Sequence, residues 1–400
     1  MKRRDFLKAG VAAVLAALMG YYVASPKLRK VDILIVGGGV AGSAAALLLR
    51  RHLKVEVLER RRMYIVGPAK EDILLGLTDL ESYSVEVGGF THGEVVAVDP
   101  SNRVVYTTAG VYQYKYLVLA PGVRLAYERV KAGPYFVDMY NDEDVARNAS
   151  WLKQARGRVV VAHPALPYRC TSAPYEMAFL IKWLNPSAEV LVISGVRQIP
   201  AEFANQISSL GDRVSELMEE RGIEFIGGVE ITEISRGELF LGTGEKVRFD
   251  RLIWTPPHTG WRWLVEAGLA KESEQGFVRV DGRLRAVGWD DVYAVGDVIW
   301  HVVKTGWAAY YEAQVAASNI LEDVGIPAEA PPYLYSEDAI RLKPDVAIRG
   351  AKTWWPIYGD VKWRGVFGPS TQEAEAKYRW MEVMKNILTL SRTELLQYRY

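Results

Sequence analysis

Along the chain, short apolar runs end in glycine- or proline-rich turns, and helical patterns lie between them. Val31–Val36 is apolar and β-branched, which predicts a buried parallel strand. Gly37-Gly38-Gly39-Val40-Ala41-Gly42 follows at once, then an apolar helical pattern over 43–53. Lys54–Leu58 predicts a second strand, ending at Glu59 and Arg60. Tyr116–Leu119 runs into Ala120-Pro121-Gly122, and Asp291–Val295 runs into Gly296-Asp297. Between these lie four more strand candidates: Val159–Ala162, Glu189–Ile193, Gly222–Phe225 and Arg251–Trp254. A helix opens at Ala173-Pro174-Tyr175-Glu176 and runs to about Leu184, with proline in its first turn. Strands alternating with helices predict an α/β fold with parallel sheets.

The first 30 residues read differently. Lys2-Arg3-Arg4-Asp5-Phe6-Leu7-Lys8 is a twin-arginine export pattern, followed by an apolar run, Ala9–Ala24. As a helix that run spans about 24 Å, short of a hydrocarbon core of about 30 Å. It reads as a signal segment, either cleaved or kept as a membrane anchor at 9–24. A buried N-terminal helix is the plainer alternative. The expected location is outside the cytoplasm.

Composition removes several classes. The 400 residues are 50% hydrophobic and 24% charged, with a formal net charge of +1, which excludes a disordered chain. Near-neutrality excludes broad electrostatic capture of nucleic acid. One Cys and five His leave no intrachain disulfide, no cysteine-rich zinc site and no CxxCH haem attachment. Electrons leaving this protein pass to something else.

Gly37, Gly39 and Gly42 form G-x-G-x-x-G between a strand and a helix, the context that gives that motif meaning. The glycines let backbone N–H groups at a helix start, with Val40 and Ala41, approach a pyrophosphate. Glu59, about 20 residues on, is placed to bind a ribose hydroxyl pair. The segments ending at Ala120-Pro121-Gly122 and Gly296-Asp297 resemble the two downstream signatures of two-dinucleotide-binding flavoproteins. That resemblance implies FAD, with Asp297 on its ribityl chain. A second Rossmann-like unit begins at Glu189–Ile193, but Ser194-Gly195-Val196-Arg197-Gln198 follows, with one glycine where three are needed. A domain that has lost NAD binding is expected.

Cys170 lies beside Arg169 and just before a helix start, two features that favour thiolate. Glu176, six residues on, is a candidate proton shuttle. A packing cysteine with a helix-capping glutamate is the alternative. The run Pro164-x-x-Pro167-Tyr168-Arg169-Cys170-x-x-x-Pro174-Tyr175-Glu176 resembles the redox-cysteine segment of the flavoprotein subunit of flavocytochrome c sulfide dehydrogenase. More distantly it is similar to sulfide:quinone oxidoreductases. The resemblance includes Lys304-Thr305-Gly306, which in that family approaches the flavin ring, and it covers nearly all of the chain after the signal. It implies sulfide oxidation at a cysteine pair beside the flavin, with electrons passing to a c-type cytochrome or to quinone. Lys304 is then expected near the pyrimidine edge of the flavin, where a cation stabilises the reduced form.

This chain departs from the family twice. The partner cysteine is absent, and Tyr333-Leu334-Tyr335-Ser336 aligns so that Leu334 takes its place. Met63–Pro68 also offers no cysteine for covalent flavin attachment, so FAD should be non-covalent. One thiol leaves three routes: a persulfide on Cys170 formed from polysulfide, a transient Cys170–flavin adduct, or direct attack of sulfide on the flavin.

The organisation expected is a signal or anchor (1–30), an FAD domain (31–125 and 257–330) and an inserted NAD-less Rossmann-like domain (126–256). A C-terminal interface region (331–400) follows, with Trp354, Trp355, Trp363, Trp380, Tyr378, Tyr398 and Tyr400. Over 380–390, Met381, Met384, Ile387 and Leu388 share one helical face. The expected function is oxidation of sulfide or a related small sulfur compound. The alternatives are a flavin dehydrogenase for another small reductant and a non-catalytic FAD-binding sulfur carrier or assembly subunit.

Overall fold

The structure is a computed structural model and describes residues 28–87, 89–203, 208–301, 303–354 and 361–389. The twin-arginine pattern, the 9–24 run, Trp355, Tyr398 and Tyr400 lie outside the described residues. Among the described residues no helix is long and apolar enough to cross a membrane.

The chain begins with β1 (Ile33–Val36), α1 (Val40–Leu49), β2 (Val55–Glu59) and β3 (Tyr116–Leu119). It then builds β4 (Arg158–His163), α2 (Ala173–Leu184), β5 (Glu189–Ser194), β6 (Glu224–Gly227) and β7 (Arg251–Trp254). It returns with β8 (Val292–Ala294) and α3 (Gly306–Asp323). It closes with β9 (Leu334–Lys343), β10 (Val346–Trp354), β11 (Val361–Ser370) and α4 (Thr371–Leu388).

The α/β expectation holds. One parallel sheet has the order β8-β3-β1-β2, extended by the two-residue strand Thr91–His92; the other has the order β6-β5-β4-β7. Ile33, Leu34 and Ile35 are fully buried, each contributing about 1.5–3 kcal/mol of hydrophobic stabilisation. Register decides where the loops converge. Val36 sits beside Leu58 and Leu119, and Leu119 beside Ala294. The turns at Gly37, Glu59, Ala120 and Val295 therefore leave the sheet at one edge, the usual crevice for a ligand in such sheets.

Strands β9, β10 and β11 form an antiparallel sheet, and α4 packs on β9, β10, β11 and α1. The apolar face predicted at 380–388 is spent there: Met381 and Ile387 are fully buried, and Trp380 stacks on Trp307 at 3.8 Å and 16°.

Candidate active site

Two cavities flank the glycine loop. The larger is lined by Gly39, Val40, Ala41, Ala120, Pro121, Gly122, Gly296, Asp297, Lys304, Thr305 and Gly306, and by Cys170. The smaller is lined by Gly37, Glu59, Arg60 and Trp261. Arg61 and Pro121 border both. Gly42 borders neither. It lies in the first turn of α1, where a Cβ would fall 1.8 Å from Gly37 O. Gly37 has φ +100°, and a Cβ there would fall 2.2 Å from Ala120 O. Side chains are excluded at both positions. Helix α1 starts at Val40, earlier than its apolar pattern, and its N-cap Gly39 offers no side-chain cap. Its first N–H groups are left for an anion.

A flavin dinucleotide fits this edge. The Gly39–Ala41 amides would hold the pyrophosphate, the smaller cavity the adenosine, and Asp297 the ribityl chain. Glu59 is buried and accepts hydrogen bonds from Gly38 N (2.7 Å), Arg61 N (2.8 Å) and Tyr64 Oη (2.7 Å). Arg60 lies over the Trp261 ring at 5.3 Å. Gly296 N donates to buried Glu312 (2.6 Å), which pins the Gly296–Asp297 turn.

At the thiol end, Cys170 adopts φ +55°, a conformation rare outside glycine. Its N–H donates to Lys304 O (2.8 Å), and its carbonyl accepts from Tyr140 Oη (3.0 Å). Two remote segments thus hold the strained residue at the cavity wall. Its Sγ lies 3.4 Å from Ser172 Oγ, and Ser172 Oγ donates to Asp338 Oδ1 at 2.7 Å. Burial and the Asp338 charge push the thiol up to about 12, overriding Ser172. These surroundings favour the protonated thiol over the thiolate that the neighbouring Arg169 and helix start suggest. Arg169 is spent on Tyr140, donating to its carbonyl at 3.0 Å.

The expectations for Glu176 and Leu334 are corrected as well, while Lys304 lines the cavity with its ammonium bound to protein carbonyls. Glu176 is fully buried and does not border the cavity. It pairs with Arg341 (2.7 Å) and Lys377, and these cations outweigh burial and hold its carboxyl below the usual range. It is a fixed counter-ion, not a proton shuttle. The Lys304 ammonium is taken up by Asp297 O (2.8 Å) and Ile299 O (2.9 Å), 4.2 Å from the Phe277 ring. Burial lowers it to about 8. Lys304 therefore ties the Asp297 turn to the start of α3. Leu334 is buried away from the cavity, and β9 reaches the wall with Glu337, Asp338 and Ala339 instead.

Sequence reasoning missed Glu71 and gave no role to Asp338, Arg341 or Lys377, although the resemblance runs through Tyr333–Trp355 and Glu373–Lys377. Arg341 is fully buried and bridges Asp72 (2.7 Å) and Glu176, with Tyr378 Oη at 3.0 Å. Glu71 borders the cavity and is raised to about 7 by burial, against Lys377 and Arg341. A signal existed: Lys70-Glu71-Asp72 interrupts the otherwise apolar stretch 65–77, and all three are buried.

The loop after β5 differs from the loop after β1. Where Gly37, Gly38, Gly39 and Gly42 follow β1, Gly195 alone follows β5, and Val196, Arg197 and Gln198 carry side chains where a pyrophosphate would approach.

Comparison with known proteins places this geometry. The family model for pyridine nucleotide-disulphide oxidoreductases matches residues 31–161 and 175–317. The chain belongs to that family and is an FAD-dependent oxidoreductase. It is 25% identical over 325 residues to ferroptosis suppressor protein 1 of Taeniopygia guttata, covering 74% of this chain and 81% of that one. It is 22% identical over 299 residues to the mitochondrial sulfide:quinone oxidoreductase of Mus musculus, covering 66% and 65%. Among solved structures, the sulfide:quinone oxidoreductase of Aquifex aeolicus matches with a TM-score of 0.75 at 18% identity, covering 90% and 92%.

Proposed function

We propose that the protein oxidises sulfide or a closely related small sulfur compound at FAD beside Cys170, and passes the electrons to a quinone. The observation that carries this reading is one continuous cavity with the glycine loop and Asp297 on one side and Cys170 on the other. The similarity to sulfide:quinone oxidoreductases supports the substrate class. The apolar wall of Trp307, Trp380, Met384 and Leu388 supports a quinone over a docked cytochrome. The single glycine in the loop after β5 supports a reductant other than NADH. Bound FAD supplies the two-electron acceptor, and with no cysteine but Cys170 in the chain it is non-covalent. The Arg3-Arg4 pattern supports export.

A protonated, half-buried thiol is a poor nucleophile. Direct reduction of the flavin by sulfide is therefore the favoured route of the three, with Cys170 shaping the site. Anaerobic stopped-flow absorbance of the holoprotein tests both statements. Sulfide should bleach the flavin band, and Cys170→Ser should keep the rate within about tenfold, a nucleophile's loss costing far more. A drop beyond about 10³-fold would restore a covalent thiol route. A flavin reduced by dithionite but not by sulfide would end the sulfur reading.

A further inference from the structure

Five carboxylic residues border the large cavity: Glu71, Asp142, Asp297, Glu337 and Asp338. Asp142 holds Lys70 (2.5 Å) and Arg61 (3.2 Å). Glu337 holds Arg349 (2.8 Å), and Asp338 accepts from Ser172. Asp297 stands in the pinned turn at the dinucleotide side. Glu71 is different. Its side chain is 3% exposed, and its Oε2 has no hydrogen-bond partner. A buried acceptor left open is costly unless something arrives to fill it.

We propose that Glu71 is the proton-exchanging group of this cavity and takes the proton that the reducing substrate gives up. The inference rests on the sulfur reading above for the identity of that substrate. For hydrogen sulfide, the S–H bond breaks, an O–H bond forms on the Glu71 carboxylate, and HS⁻ is left as the electron donor to FAD. No other reactant is needed for this step. The surroundings are set for it. Lys377 from α4, Arg341 from β9 and Glu176 from α2 face Glu71, with Cys170 and Tyr140 beside it. Burial is the largest influence and carries the carboxyl to about 7. It thus accepts a proton above neutral pH and is already filled below it. Glu176, the carboxylate that sequence spacing suggests, cannot take this role because Arg341 and Lys377 hold it ionised.

Glu71→Gln keeps the shape and removes the titration. In the FAD-loaded protein, sulfide reduction of the flavin should slow by up to about 10²-fold at pH 7, the usual scale for a lost general base. Dithionite reduction should not change. The wild-type advantage over the variant should shrink as pH falls below 6, where Glu71 is already protonated, and again in alkali, where sulfide is already ionised. An advantage that does not vary with pH would mean a structural role and overturn the proposal. A second readout needs no substrate. Charge arriving on the flavin favours protonation of Glu71, so the wild-type potential should fall more steeply with pH between 6 and 8 than the variant's. Equal slopes overturn the proposal, whatever sulfide does. Unequal slopes with no reduction by sulfide would overturn the sulfur reading and leave Glu71 as the exchanging group.

Discussion

At one side of the large cavity the wall is backbone: Gly39, Val40 and Ala41 at the start of α1 and the Ala120–Gly122 turn. At the other it is side chains brought in from four remote segments, with Glu71, Cys170, Asp338 and Lys377 at their tips. Backbone N–H groups are always donors and do not titrate, so the first side can only hold an anion. The second side can change charge, and its groups adjust what burial sets: burial, then Asp338 and Glu71, push the Cys170 thiol up, and burial raises Glu71 while Lys377 pulls it back down. Binding is thus built from fixed dipoles, and proton handling from coupled side chains.

The sharpest way to break this contrast lies on the backbone side. Gly37→Ala would put a methyl group against Ala120 O in a conformation alanine resists. Purified protein should lose roughly tenfold or more of its FAD, seen as the ratio of flavin to protein absorbance, for strain of a few kcal/mol. Full flavin content would mean the loop does not set dinucleotide binding. On the side-chain side, Arg341→Met strands Asp72 as a buried charge and leaves Glu176 to Lys377 alone. Unfolding in denaturant should show a loss of about 3–5 kcal/mol, the range for breaking a buried pair. A loss below about 1 kcal/mol, the scale of an exposed pair, would show that water reaches this cluster.

The same difference explains what was legible in the chain. The glycine loop is contiguous in sequence, so strand, turn, helix and acid could be read together. Cys170 was legible because it precedes a helix with Pro174 in its first turn. The partners that decide its charge were not. Arg341 meets Glu176 across 165 positions and Asp72 across 269, and no local pattern records those meetings. Glu176 therefore read as free when it is neutralised. Leu334, aligned with the missing cysteine, shares a buried face of β9 with Ser336, Asp338 and Ile340. The error was along the strand. Four residues at about 3.4 Å each move the wall contact roughly 14 Å, to Asp338.

The smallest expected effect probes the coupling itself. Iodoacetamide alkylation reports thiolate, and Cys170 is the chain's only thiol. With burial and Asp338 raising it to about 12, native Cys170 should react far more slowly at pH 8 than in the denatured chain, and its rate should still be climbing at pH 10. Asp338→Asn removes a negative charge beside the sulfur while keeping an acceptor for Ser172. The thiolate then becomes easier to form, so alkylation at pH 8 should quicken, by about tenfold for each unit of downward shift. The direction separates two roles for Asp338. If it works through its charge, the variant is faster. If it serves as the base that draws the thiol proton away through Ser172, the variant is slower, and the side-chain end of the cavity would activate Cys170 rather than hold it in reserve.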